Sequence, residues 1–249
     1  MSVIIGLYGE AGAGKDQFAL YASNWADDHR LICHRFSFAQ PIYDLAAVIF
    51  GTTVEMLGER SQKEIPVWRT VTQTALESAY KLWETYGLNN YADFAYIWPI
   101  FEEKYFGDRR TRPLHLIEGD EIYSILISAR EILQLLGTEL GRNMLHKEVW
   151  PRTLEKQLLT AGGEVNIITD VRFDNEAHFI HEIRGMKDSI IVEVSSPKSQ
   201  FKIKTGHASE SGISKNLINQ TFHNTFEGLE KMKKDVYEFL DNSDTILYA

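Results

Sequence analysis

The sequence lacks the features that mark several large classes of protein. It has a single cysteine, Cys33, in 249 residues, which excludes an intrachain disulfide and a thiolate metal cage. Acidic residues outnumber basic ones, and the net charge of −9 argues against general binding to nucleic acid or membrane surfaces. No apolar run approaches the roughly 18 residues of a membrane span, and the N-terminus lacks a signal-peptide pattern. We therefore expect a soluble, cytoplasmic protein without nucleic-acid or membrane partners.

What the sequence does contain is an alternation of apolar runs and helical patterns. Runs that read as strands, about five in all, lie at 3–8, 31–38, 165–171, 189–196 and 244–249. Helical patterns separate them, which is typical of an α/β fold with a doubly wound parallel sheet. The aromatic-rich residues 52–125 show no clear strand, so we predict a mainly helical insertion there. The prediction is one domain with a core of about 1–51 and 126–249.

The most informative motif follows the first run. Residues 9–15, GEAGAGK, have the spacing of a phosphate-binding P-loop between a predicted strand and a predicted helix. Glycines let backbone N–H groups point at phosphate oxygens, and the helix N-terminus adds partial positive charge. Lys15 would supply a cation to the β- and γ-phosphates of ATP; a glycine-rich turn without a ligand is the alternative. The predicted ATP-phosphate-binding residues are Gly12, Ala13, Gly14, Lys15, Asp16 and Gln17.

Asp16 departs from the common form of this motif, which has a serine or threonine at that position. A carboxylate is a hard oxygen ligand, so Asp16 would bind Mg²⁺ directly or through a metal-bound water. Alternatively, Asp16 only interacts favourably with the N-terminus of the helix. We predict the metal role.

A second motif, ITDVRFDNEA at 168–177, follows a buried apolar run. Asp170 lies where doubly wound sheets bind their ligands, and an acid there commonly holds Mg²⁺ or its waters in P-loop enzymes. Arg172 would bind a phosphate through two parallel hydrogen bonds, unless it forms a structural ion pair with Asp170. Glu176 either orients the arginine or is an ordinary surface residue.

The third motif, residues 128–145, predicts an amphipathic helix. Its polar side carries two glycines, which would let a ligand approach closely, although an ordinary amphipathic helix is the simpler explanation. That polar side consists of Arg130, Gln134, Gly137, Thr138 and Gly141. Trp150, which follows, is either part of the core or a stacking platform for a base.

Three basic segments have weaker assignments. Residues 195–213 carry three lysines and read as a closing lid loop or as a solvated loop. Lys63 and Arg69, within the insertion, are predicted either to contact phosphate or to be surface charges. The basic loop at 107–113 is predicted to be a solvated surface loop and not a binding site.

These blocks together resemble the bacteriophage deoxynucleoside monophosphate kinases. GEAGAGKD, FSFAQPIYDLAAVIFG, REILQLLGTELGRNM, ITDVRFDNEA and HASESGI occur in the order that this family shows, and they span most of the chain. The resemblance implies a P-loop NTPase-type fold and the transfer of a phosphoryl group from ATP, with Mg²⁺, to a deoxynucleoside monophosphate. The acceptor-binding residues predicted with it are Ser37, Lys63, Arg69, Arg130, Gln134, Gly137, Thr138, Trp150, Asp170, Arg172 and Glu176.

The expected catalytic residues are Lys15, Asp16, Arg130, Asp170 and Arg172, acting through position and charge rather than acid–base chemistry. Two alternatives stay open: a P-loop kinase for another small acceptor, and a nucleotide-binding regulator that is not a kinase. The sequence does not set the base preference or the oligomeric state, and a homodimer is compatible with it. The resemblance points to a virus acting in the bacterial cytoplasm.

Overall fold

The computed structural model describes residues 2–111, 121–183, 188–197 and 212–243. The strands are β1 (Val3–Tyr8), β2 (Cys33–Phe36), β3 (Val67–Thr72), β4 (Glu121–Ile127), β5 (Val165–Ile168), β6 (Asp188–Ser195) and β7 (Gln220–His223). The helices are α1 (Lys15–Asp28), α2 (Gln40–Ile49), α3 (Val54–Gly58), α4 (Gln73–Thr85), α5 (Phe94–Phe106), α6 (Ala129–Gln134), α7 (Val149–Ala161), α8 (Asp174–Glu182) and α9 (Leu229–Asp241). A π-helical segment, Leu135–Leu145, directly follows α6. None of the helices in these ranges is long and apolar enough to cross a membrane.

Five of the strands form one parallel sheet in the order β2-β5-β1-β6-β7. Strand β1 lies at its centre, where Val3 pairs with Val165 of β5 and with Asp188 of β6. Strands buried on both faces read as continuous apolar runs, and all four residues of β5 are buried. The predicted α/β fold with a parallel sheet of about five strands is therefore confirmed. The fifth strand is β7, whereas the strand predicted at 244–249 lies outside the described residues.

Helices cover both faces of this sheet. On one face, Ile5 and Leu7 of β1 belong to a buried cluster with Phe18 of α1 and Val236 of α9. On the other face, α8 packs against β1 and β6. The contact is close at Gly6, where a Cβ atom would lie 2.7 Å from Cδ1 of Ile180. The sheet is thus doubly wound, as predicted.

The chain divides into two compact units, which are described separately. The first unit comprises Met1–Phe38 and Leu154–Ala249, and the second comprises Ala39–Thr153. The second unit is larger than the predicted insertion, 52–125, at both ends. The reason is that α2, assigned from sequence to the core, packs against α4 and α6 of the second unit.

Aromatic side chains form much of the core of the second unit. The rings of Trp83 and Phe94 have centroids 5.3 Å apart, and those of Trp98 and Phe101 are 5.4 Å apart. Each such pair contributes about 0.5–1.5 kcal/mol beyond its buried area. Helix α5 carries three of these rings and is capped by Asp93, whose side chain accepts a hydrogen bond from the Ala95 N–H.

The second unit also contains a two-stranded antiparallel sheet formed by β3 and β4. The prediction of no strand within 52–125 is wrong at this point. The two strands are far apart in sequence, so no short hairpin turn signals their pairing. Trp68 pairs with Leu126, and Thr70 pairs with Ser124. The hydroxyl oxygens of Thr70 and Ser124 are 3.0 Å apart.

Candidate active site

The glycine loop between β1 and α1 has the backbone that the motif predicts. Gly12 and Gly14 have φ angles of 86° and 104°, in the left-handed region that favours glycine. Gly9 has no room for a side chain, because a Cβ atom would lie 2.3 Å from the carbonyl oxygen of Val194. Helix α1 begins directly after the loop, and the Phe18 N–H donates to the Gly14 carbonyl at 2.9 Å. A helix N-terminus preceded by such a loop is an anion-binding arrangement.

Lys15 is folded back over this loop. Its Nζ atom donates to the carbonyl oxygens of Gly9 at 2.6 Å and of Glu10 at 3.0 Å. The ammonium group therefore lies at the start of the loop, and the side chain is only half-buried. Flexible lysine stems allow such a group to exchange carbonyl oxygens for phosphate oxygens.

Asp16 lies in the first turn of α1 and its side chain is exposed. That position is compatible both with the helix-terminus role and with a metal ligand. Among the described residues, no group of three or more His, Cys, Asp or Glu side chains forms a ready-made metal cage.

Asp170 joins the ends of two neighbouring strands. It lies just after β5, and its two carboxylate oxygens accept hydrogen bonds from the Ser37 hydroxyl and the Phe38 N–H, both at 2.8 Å. Ser37 and Phe38 follow directly after β2. The sequence prediction thus placed Asp170 and Ser37 in one site, and the structure brings them into contact at the carboxyl ends of the strands.

Glu176 is buried at the start of α8. It is 2 % exposed, and its carboxylate accepts the backbone N–H groups of Arg172 at 2.8 Å and Phe173 at 3.2 Å. The carboxylate thereby satisfies two donors at the start of α8, as an acid at this position of a capping box does. The surface alternative is wrong, and the contact to Arg172 is made to its backbone. The Arg172 side chain is exposed.

The start of α8 is also tied to the residues after the predicted lid. The Asp174 carboxylate accepts the N–H of Ser214 at 2.7 Å and its hydroxyl at 2.6 Å. These two bonds stabilise the charged form and hold the pKa of Asp174 below its usual value. Most of the predicted lid, residues 198–211, lies outside the described part of the chain.

Comparison with known proteins decides between the candidate classes. The profile of the family described as Deoxynucleotide monophosphate kinase matches residues 112–236. The deoxynucleoside-5'-monophosphate kinase of Escherichia phage T5 is 45 % identical over 247 residues, which cover 97 % of each chain. The chain belongs to the deoxynucleotide monophosphate kinase family. The resemblance inferred from sequence motifs is therefore confirmed, and the protein is a phosphotransferase.

Several predicted acceptor-binding residues of this family member lie in the second unit. The Arg130 N–H donates to the Lys63 carbonyl at 2.9 Å, and its guanidinium forms an ion pair with Glu64. The Lys63 ammonium donates to the Tyr43 hydroxyl at 2.7 Å. The structure therefore brings Arg130 and Lys63 together through their backbones.

The π-helical segment changes the predicted faces of residues 128–145. The space beside its glycines is filled by protein: a Cβ atom at Gly141 would lie 2.2 Å from the Trp150 ring, and one at Gly137 would lie 3.0 Å from Ile42. The Gly137 carbonyl accepts the Trp150 Nε1–H at 2.8 Å. Trp150 is 2 % exposed, which favours the core alternative over a stacking platform. The space beside Gly141 thus holds the Trp150 ring. Gln134 and Thr138 are half-buried.

Sequence reasoning gave no role to Asn224, which contacts the phosphate-binding loop. Its Nδ2 donates to the Ala13 carbonyl at 2.9 Å, although the two residues are 211 positions apart. Asparagine side chains often accept a hydrogen bond from the backbone N–H two residues later, and Asn224 does so from Phe226. This local pattern predicts a turn at Asn224, but it does not indicate the contact with Ala13.

Proposed function

We propose that the protein transfers the γ-phosphoryl group of ATP, with Mg²⁺, to a deoxynucleoside 5'-monophosphate. The bond between the γ-phosphorus and the β–γ bridging oxygen breaks, and a bond to an acceptor phosphate oxygen forms, giving a deoxynucleoside diphosphate and ADP. The observation that carries the proposal is the glycine loop 9–14 running into Lys15 and α1, in a chain 45 % identical to a named kinase.

The loop and Lys15 are proposed to bind the ATP phosphates. Backbone N–H groups of Gly12, Ala13 and Gly14 and the first turn of α1 would donate to phosphate oxygens. Lys15 would replace its bonds to Gly9 and Glu10 with bonds to phosphate, so its positive charge moves only within the loop. Catalysis then consists of positioning and charge neutralisation, because an acceptor phosphate oxygen is already ionised at neutral pH.

The donor set fits Mg²⁺ bound chiefly through the substrate. This ion usually keeps several waters and takes one or two carboxylates together with phosphate oxygens. Asp16, exposed in the first turn of α1, offers one such carboxylate, and Asp170 offers a second at the end of β5. When bound, the ion would neutralise developing phosphate charge.

Arg69 is the best supported of the proposed acceptor contacts in the second unit. Its Nε atom is buried and has no hydrogen-bond partner among the described residues. Burial also lowers the pKa of its guanidinium. A buried donor without a partner is costly, and a phosphate oxygen would satisfy it with a charge-assisted bond.

Arg130 would contact the acceptor phosphate only by exchanging Glu64 for it. The Arg130 side chain is 42 % exposed and that of Glu64 is 63 % exposed, so this ion pair is weak and is readily replaced by a doubly charged phosphate. Arg172, Ser37 and Asp170 stay proposed acceptor-binding residues of the first unit, where the Arg172 side chain is exposed and Ser37 donates to Asp170. We keep as proposed acceptor-binding residues Lys63, Gln134, Gly137 and Thr138. The buried side chains of Trp150 and Glu176 instead form hydrogen bonds within the protein.

The test is ADP release with Mg·ATP against dTMP, dGMP, dCMP, dAMP and their ribose counterparts. We expect ADP to form in proportion to an added deoxynucleotide, with the active subset defining the base range. Release that depends on a different small acceptor would favour the alternative kinase. ATP binding without acceptor-dependent ADP would favour the regulator and refute the proposal.

We also propose that the protein acts in the bacterial cytoplasm, since the relative reported above belongs to a phage. Its partners in this proposal are small-molecule nucleotides. A homodimer would be detected by light scattering at the concentrations used for the assay.

A further inference from the structure

Asn224 makes hydrogen bonds through every polar group of its side chain and through its backbone N–H. Its backbone N–H donates to the Ser195 carbonyl at 2.9 Å, and its Oδ1 accepts the Phe226 N–H at 3.1 Å. Its Nδ2 donates to the carbonyl of Ala13, and the residue is 5 % exposed. The carboxamide therefore joins the phosphate-binding loop to the segment that follows β7.

The contact lies where the loop turns into α1. A Cβ atom at Gly14 would lie 2.5 Å from Nδ2 of Asn224 and 3.2 Å from Cε of Met232. Gly14 has a φ of 104°, and Ala13 is fully buried. The Asn224 side chain thus occupies the space that a larger residue at Gly14 would need.

The bond to Ala13 fixes the orientation of one peptide group. The described chain has no cis peptide bonds, and in a trans peptide the C=O and the following N–H point in opposite directions. Because Asn224 holds the Ala13 carbonyl on its own side, the Gly14 N–H points to the opposite side of the loop. That N–H is one of the donors proposed above for the ATP phosphates.

We infer that Asn224 is a positioning residue of the nucleotide site, which orients the Gly14 N–H towards the ATP phosphates by holding the Ala13–Gly14 peptide. The inference rests on the proposed binding of ATP by this loop. It predicts an effect on ATP, with little effect on the acceptor.

Asn219 provides a matched control at the other end of β7. Its N–H donates to the Ile191 carbonyl at 2.9 Å, and its Oδ1 accepts the Ile191 N–H at 2.7 Å. Both asparagines therefore attach β7 to β6 through the backbone. Replacing Asn219 weakens this attachment without removing the bond to Ala13.

The experiment compares wild type, Asn224→Ala, Asn224→Asp and Asn219→Ala by calorimetric ATP binding, steady-state kinetics and thermal unfolding. We expect Asn224→Ala to raise the Kd and KM for ATP about tenfold, the scale of one lost hydrogen bond. The acceptor KM should stay within about twofold of wild type. Asn219→Ala should lower the Tm to a similar extent and leave the Kd for ATP unchanged.

Asn224→Asp separates positioning from a purely structural role. Aspartate keeps the size of the side chain and the acceptor for Phe226, but it has no donor for Ala13. We expect its Kd for ATP to rise at least as much as that of the alanine variant. It also serves as the test if Asn224→Ala does not fold.

An ATP Kd within about twofold of wild type for both Asn224 variants would overturn the inference, as would an equal rise in Asn219→Ala. Either outcome would leave the proposed function intact, provided that the wild-type protein binds ATP in the same assay. If the wild-type protein itself binds no ATP, the proposed function fails and the inference fails with it.

Discussion

Replacing Gly141 with alanine tests whether this glycine exists for packing or for ligand access. In the π-helical segment, an added Cβ would lie 2.2, 2.6 and 2.8 Å from Cζ2, Cε2 and Nε1 of Trp150. These are atoms of a rigid, buried ring, so the ring as a whole must move. Moving it also disturbs the bond from Nε1 to the Gly137 carbonyl.

The expected destabilisation follows from three terms. Overpacking a well-packed core by one methyl group costs about 1–3 kcal/mol. Loss of one hydrogen bond destabilises the protein by ~1 kcal/mol. The better helix propensity of alanine stabilises it by up to ~1 kcal/mol. The net change in the free energy of unfolding is thus about 2 kcal/mol, which corresponds to a fall in Tm of roughly 4–8 °C for a protein of this size.

The assay is thermal and urea unfolding, together with the acceptor KM. Gly58→Ala in α3 is the control, because a Cβ atom there would meet nothing within 4 Å, and we expect its Tm to stay within about 1 °C of wild type. A Gly141→Ala variant with wild-type stability and a raised acceptor KM would refute the packing argument. It would restore the interpretation that this glycine lets a ligand approach.

Further predictions concern the loop and the start of α8. Lys15→Ala should lower kcat at least about a hundredfold, on the scale of one preorganised electrostatic contact, as measured by ADP release at saturating ATP. Asp16→Asn should raise the Mg²⁺ concentration needed for half-maximal rate, because one carboxylate ligand is lost. Asp174→Asn should be less stable than wild type at neutral pH. Because the folded-state pKa of Asp174 is depressed, its stabilisation is complete above the unfolded-state pKa of about 4 and is lost as the pH falls through the lower, folded-state value.

Each of these predictions has a clear contrary result. A Lys15→Ala enzyme with near wild-type turnover would remove the loop from the catalytic site. An unchanged magnesium titration for Asp16→Asn would leave that residue with the helix-terminus role alone. If urea midpoints for Asp174→Asn and wild type differ equally at pH 7 and pH 3, the bonds to Ser214 do not depend on the carboxylate charge.

The features that the sequence predicted correctly are those encoded locally. Strand β1, the glycine loop and the start of α1 lie within one short stretch, and apolar runs directly mark the buried strands β5 and β6. Strand β7, with the sequence QTFH, escaped this reasoning because it lies at the edge of the sheet and only Phe222 is buried. An edge strand does not need an apolar run.

Contacts between residues far apart in the chain could not be predicted from sequence patterns. Asp170 bonds to Ser37 across 133 positions, and no local pattern specifies that partner. The Trp150 ring lies against Gly141 within the π-helical segment, whereas spacing alone predicted an ordinary α-helix. The buried role of Glu176 likewise depends on where α8 begins, which sequence patterns locate only to within a few residues.

The strand order has a consequence for synthesis of the chain on the ribosome. Strand β5 lies between β2 and β1, yet it is made after the whole of the second unit. Translation of the roughly 130 residues between Phe36 and Val165 takes roughly 6–26 s at about 5–20 residues per second. During that time β1 and β2 lack the strand that pairs with both of them. The second unit is continuous in sequence, so its strands and helices have no such wait.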